Sequence, residues 1–177
     1  MTVLILGTPD SGKSLKAENL MQKLSGSDEK IYLATMIPFG EEGEKRVMKH
    51  RKEREGKGYI TIERPTGLSG VLPEIRNAKD MSCLLECLSN LTGNEIHSDS
   101  NKDLSDDDLT ELIIKELTCL RKGFRDLVIV SNKFPLEDAS YDEDTERYVQ
   151  IMESVNKRTA ELADEVYELI EGGWIKR

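Results

Sequence analysis

The sequence predicts an α/β fold: a mostly parallel central sheet with helices on both faces, three layers in all. Short apolar runs such as 2–6 (TVLIL) and 126–132 (DLVIVSN) read as strands buried on both faces. Segments of helical character alternate with such runs along the whole chain, the pattern of an α/β sheet. The first run also passes through a glycine-rich turn straight into a helical segment.

Taken in order, residues 2–6 are apolar and partly β-branched, and Gly7 closes them as a strand. A helix is expected over about 12–24, ended by the Ser-Gly-Ser-Asp run at 25–28. Residues 30–35 form a second strand, and Pro38 and Gly40 punctuate the loop over 36–40. Residues 41–55 make a very polar helix, and 58–63 (GYITIE) alternate as a strand. Pro65 and Gly67 break the chain before a short helix over 68–77, and 81–86 is a further strand. The polar, acidic stretch 93–108 (GNEIHSDSNKDLSDDD) reads as a mobile surface loop. An amphipathic helix follows over 109–122, then the clear strand 126–132 and a long helix over 141–164. Two short strands close the chain near 165–170 and 174–177. No internal repeat is visible, and residues 1–177 are expected to form one nucleotide-binding domain.

Composition narrows the function. The 177 residues are 33% charged, with a net charge of -9. That argues against nucleic acid as a partner, since phosphate backbones are held by Lys and Arg clusters. No stretch has the run of about 20 apolar residues that spans a membrane. The N-terminus shows no charged lead-in or cleavage site and enters the fold directly, so a cytoplasmic location is expected. Cys83, Cys87 and Cys119 make an odd count without metal spacing, and Cys83 and Cys87 read as buried thiols.

The turn after the first strand is GTPDSGKS, which fits G-x-x-x-x-G-K-[ST] at Gly7, Gly12, Lys13 and Ser14. Glycines let the backbone wrap an anion, inward N–H groups bind it, and the following helix turns its positive end toward it. Lys13 would reach the β- and γ-phosphates, and the Ser14 hydroxyl would bind Mg²⁺. Such a loop calls for a carboxylate at a nearby strand end, and Glu86, closing SCLLE, is the candidate. Asp126 begins its strand and so belongs to the opposite edge. The loop alone leaves kinase, GTPase, ATPase and motor open.

A second cluster lies in KRVMKHRKER. Arg46, His50 and Arg54 are spaced by four, one stripe on a helix. The arginines could clamp a triphosphate. A neutral imidazole between them is a nucleophile able to form a phosphorus–nitrogen link. His97, in the acidic stretch, has no assigned role, and Trp174 reads as packing.

With these residues in view, the chain resembles the bifunctional adenosylcobinamide kinase/adenosylcobinamide-phosphate guanylyltransferase family of cobalamin biosynthesis. The resemblance runs through the phosphate loop with Ala17-Glu18, Tyr32-Leu33-Ala34-Thr35, and Arg46, His50 and Arg54. It continues through Tyr59, Thr61, Glu63 and Pro65, then Leu84-Leu85-Glu86-Cys87-Leu88-Ser89 and Val130-Ser131-Asn132. It ends with Asn156, Ala160, Ala163, Asp164 and Val166. The chain departs from the family pattern at Asp10, where the family has arginine, and at Lys133-Phe134-Pro135 after the late strand. The resemblance implies a RecA-like P-loop fold and a homotrimer. It also implies phosphorylation of adenosylcobinamide with ATP or GTP, then GMP transfer from GTP through a guanylylated His50. A P-loop kinase or a nucleotide-binding protein without guanylyl transfer are the alternatives. The candidate nucleotide contacts are Gly7, Thr8, Pro9, Asp10, Ser11, Gly12, Lys13 and Ser14 in the loop. Beyond it they are Ala34, Thr35, Met36, Arg46, Arg51, Lys52, Glu53, Arg54, Glu63 and Glu86, with Ser14 and Glu86 at Mg²⁺ and Glu63 able to read a guanine edge.

Overall fold

A computed structural model describes residues 1–9, 11–26, 28–136, 138–170 and 173–177, without the side chains of Arg46 and Glu53. The chain runs β1 (Thr2–Gly7), α1 (Lys13–Ser25), β2 (Lys30–Ala34), α2 (Gly40–Arg54) and β3 (Tyr59–Glu63). Two 3₁₀ turns (Leu68–Glu74 and Ala78–Asp80) lead to β4 (Ser82–Glu86) and α3 (Leu88–Ile96). A third (Asp99–Asn101) precedes α4 (Asp106–Gly123), β5 (Asp126–Asn132), α5 (Glu143–Leu162), β6 (Glu165–Ile170) and β7 (Gly173–Lys176).

The strands form one sheet in the order β3-β2-β4-β5-β1-β6-β7, parallel except for the β6–β7 hairpin. Alternate strand residues feed two cores. Leu4, Leu33, Leu85 and Ile129 face the layer of α3, α4 and α5, while Val3, Ile5, Leu84 and Val128 face Ala17 and Met21 of α1. Register then lines up the strand ends. Gly7 pairs with Asn132, Val130 with Glu86, and Ala34 with both Glu86 and Glu63. The crevice outside the carboxyl ends of parallel strands is where such sheets bind ligands. Asp126, at the other edge, accepts from Ser82 and Arg125 instead.

Two expectations are corrected. Residues 93–108 are not a loop: they hold the end of α3, a 3₁₀ turn and the start of α4. Two of its polar residues, Glu95 and Asn101, are buried and spent internally. Glu95, 4% exposed, accepts from the Gly67 amide at 2.9 Å and from the Asn101 amide at 2.6 Å. The acidic run starts α4, where Ser105 caps the Asp108 amide and Asp106, Asp107 and Asp108 face the positive helix end. Residues 68–77 form no α-helix, because Pro73 lacks the N–H that would extend the turn. Among the described residues no helix is long and apolar enough to cross a membrane.

Candidate active site

The phosphate loop begins at Gly7, where a Cβ would lie 2.7 Å from Ser11 Oγ and 3.2 Å from Lys13 Cγ, so a larger residue there would have to displace the Ser11 and Lys13 side chains. Gly12 sits at φ 87°, the left-handed region that suits glycine. The loop therefore enters α1 with its first-turn N–H groups facing the crevice. Lys13 is buried, and its ammonium donates to the Thr8 carbonyl and, at 3.4 Å, to Ser11 Oγ. This places the ammonium over the loop that would receive phosphate.

Ser14 Oγ donates to one oxygen of Glu86, and the Tyr32 hydroxyl donates to the other at 3.1 Å. Burial, and then the Glu86 charge, push the Tyr32 phenol far up, so it stays a donor. The Arg54 guanidinium lies 3.4 Å from the Tyr32 ring centroid, a cation–π stack. Arg54 is only 6% exposed, and its Nε and Nη1 find no hydrogen-bond partner among the described residues. A buried guanidinium with unused donors favours an anion beside it.

One cleft of about 660 Å³ joins these groups. Pro9, Ser11, Gly12, Lys13 and Ser14 line one wall, with Glu86, Cys87 and Asn132 at its floor. Half-buried His50, together with Arg51 and Arg54 of α2, lines the other, joined by Ala34, Met36 and Glu63. Arg51 pairs with Glu63. Other expected contacts lie elsewhere. Thr35 is fully buried, its hydroxyl donating to the Cys87 carbonyl at 2.7 Å and accepting from the Cys87 amide at 2.8 Å, which braces the Glu86 turn. Lys52 is exposed along a neighbouring groove of about 980 Å³. Asp10 and the side chains of Arg46 and Glu53 are outside the described residues.

The Ser14 hydroxyl and Glu86 carboxylate fit Mg²⁺, which takes hard oxygens and completes its shell with water and substrate phosphates. Among the described residues no group of three or more His, Cys, Asp or Glu could hold a metal ion.

Several motif residues have structural work. Ala17 packs against the sheet, and Glu18 pairs with Lys57 at 2.6 Å. Asn156 donates to the Asn132 carbonyl at 3.0 Å and accepts from Ser131, and Asp164 accepts from the Thr2 amide at 2.6 Å. Trp174 packs against the α1 side of the sheet, with Lys16 Nζ 5.4 Å from its ring centroid. Sequence reasoning gave Tyr32 no role in the site. The signal was its place two residues before Ala34 on one strand, hence on the same face as α1.

A strand–loop–helix phosphate cradle on a parallel sheet, with a carboxylate at a strand end against its serine, defines a P-loop NTPase fold. Solved structures agree. The chain is similar over 96% of its length to the ATPase domain of G40P, with a TM-score of 0.57 and 13% identity, spanning 69% of that chain. It is similar over 96% of its length to a prototypical ATPase of the type III secretion system of pathogenic bacteria, with a TM-score of 0.57 and 11% identity, spanning about half (51%) of that chain. At such identities the likeness shows the fold. The family model for cobinamide kinase / cobinamide phosphate guanyltransferase matches residues 3–176. The chain belongs to that family, and is a kinase and guanylyltransferase of cobalamin biosynthesis. No relative among curated proteins matches it.

Proposed function

We propose that a single domain carries both reactions in the one cleft, with GMP passing through His50. The observation behind this reading is that Lys13 and Ser14 line the same 660 Å³ cleft as His50. In the kinase step the acceptor's hydroxyl oxygen attacks the γ-phosphorus. The new O–P bond forms as the β–γ bridging bond breaks, the nucleoside diphosphate leaves, and the hydroxyl proton passes to solvent. Lys13 carries the charge growing on the β- and γ-oxygens, as positioned cations do in such transfers.

In the second reaction an imidazole nitrogen of His50 attacks the α-phosphorus of GTP. The N–P bond forms, the α–β bridging bond breaks and pyrophosphate leaves. An oxygen of the cobinamide phosphate then attacks that phosphorus, and the N–P bond breaks to free His50. Arg54 presents its unused donors to the triphosphate. Glu63, once released from Arg51, accepts from the guanine N1–H and N2–H₂ donors. Mg²⁺, held by Ser14 and Glu86, would supply charge neutralisation on the phosphate oxygens. Tyr32 holds Glu86 in place for that role.

We assign the protein to the cytoplasm, where its nucleotide substrates are pooled, as a homo-oligomer, a trimer by family resemblance. No nucleic-acid partner is expected from a net charge of -9. Incubation with Mg²⁺ and GTP labelled at the α-phosphate tests the histidine step. The expected result is acid-labile, base-stable label on the wild-type chain and none on His50→Ala. Equal label on both would sink the assignment of His50.

A further inference from the structure

A groove of about 420 Å³ opens beside the cleft, behind the turn at 87–90. Its lining includes Ser89, Asn90, Gly93, Asn94, His97 and Tyr148, and Asn90 lines the cleft as well. The wall between the two is thin. Asn132, in the cleft, donates to Ser89 Oγ at 2.8 Å, and Cys87 Sγ lies 3.0 Å from the same oxygen.

The chemistry changes across that wall. The cleft carries Lys13, Arg51 and Arg54, whereas among the described residues no lysine, arginine or carboxylate lines the groove. Asn90 makes no side-chain hydrogen bond among the described residues, and Asn94 spends only its N–H₂, on the Thr35 and Pro65 carbonyls at 2.8 and 3.0 Å. Tyr148 donates to the Ser89 carbonyl and stacks edge-on with Phe134, centroids 5.7 Å apart, which gives one wall an apolar face. Free amide groups beside an aromatic wall suit an uncharged ligand bearing carboxamides, and they suit phosphate poorly.

An acceptor whose hydroxyl meets the γ-phosphate must leave its body outside the phosphate cradle. We infer that this groove seats the carboxamide-bearing periphery of the corrinoid acceptor, with Asn90 at the crossing point. The inference rests on the family reading that the acceptor is a cobinamide.

Gly93 supplies the test. A Cβ there would meet only Tyr148 Cε2, at 3.7 Å, an ordinary contact, so α3 accepts a side chain that fills the groove. Cobinamide binding is measured by equilibrium dialysis, read from corrinoid absorbance, for wild type, Gly93→Ala and Gly93→Leu. Label from α-labelled GTP is followed in parallel. Gly93→Leu is expected to weaken cobinamide binding at least about tenfold, the size of an overpacking penalty, with GTP labelling unchanged. Cobinamide binding within twofold of wild type in a Gly93→Leu protein that still labels would overturn the inference. If Gly93→Leu loses labelling through misfolding, Gly93→Ala decides by the same comparison, with a roughly threefold weakening expected from a smaller intrusion. Wild type that binds cobinamide without labelling would contradict the histidine step alone and leave the dialysis comparison to judge the groove. Wild type that binds no cobinamide would overturn the groove assignment together with the acceptor reading it rests on, whatever the GTP labelling shows.

Discussion

The cradle wall of the cleft grows out of strands buried on both faces, whereas the α2 wall is a charged helix exposed along most of its length. Leu4, Leu85 and Ile129, behind the cradle, are at most 1% exposed. On the other side Met48 is 62% exposed and Phe39, at the N-cap of α2, is 92% exposed. Interactions tying α2 inward include the Arg54 stack on Tyr32 and the Arg51–Glu63 pair. The phosphate loop is thus fixed by the core, while the contacts of the wall bearing His50 include charged and aromatic ones. Stability and guanylyl chemistry should then respond to different substitutions.

The largest test of that division is Leu85→Ala. It opens a cavity behind Glu86 and should cost about 2–5 kcal/mol in urea unfolding with the m-value unchanged. A cost below about 1 kcal/mol would mean the core does not brace the cradle. Tyr32→Phe comes next, and acts where the walls meet. It removes the hydrogen bond to Glu86 but keeps the ring under Arg54, so stability should fall by only about 1 kcal/mol. Both reactions should slow by about tenfold, a loss of about 1.4 kcal/mol of transition-state stabilisation, and the Mg²⁺ concentration giving half-maximal rate should rise. An unchanged Mg²⁺ dependence would reduce Tyr32 to packing. The smallest effect is expected for Met48→Ala on the exposed wall, within about 0.5 kcal/mol of wild-type stability. A cost matching that of Leu85→Ala would erase the contrast.

What the sequence revealed follows the same line. The strand at 126–132 was legible to the residue, because its centre at 127–130 is buried on both faces and apolar throughout. The phosphate loop and the place of Glu86 were legible because their chemistry is local: a glycine turn, and a carboxylate at a strand end. The acidic stretch at 93–108 misled because Glu95 finds its partners in the Gly67 amide and in Asn101, an arrangement no local pattern announces. For Arg54 the sequence offered a triphosphate clamp on a very polar helix; its stack on Tyr32 left no local trace, because that contact depends on strands and helix brought together by the fold.

The most direct measurement runs both reactions side by side on Lys13→Ala and His50→Ala: phosphoryl transfer to cobinamide, and GMP transfer to cobinamide phosphate. One shared cleft predicts that Lys13→Ala loses both by roughly 10²–10³-fold, the usual effect of removing a group that stabilises transition-state charge. It predicts that His50→Ala keeps phosphoryl transfer within a few-fold and loses GMP transfer. Full GMP transfer by Lys13→Ala, or by His50→Ala, would contradict it.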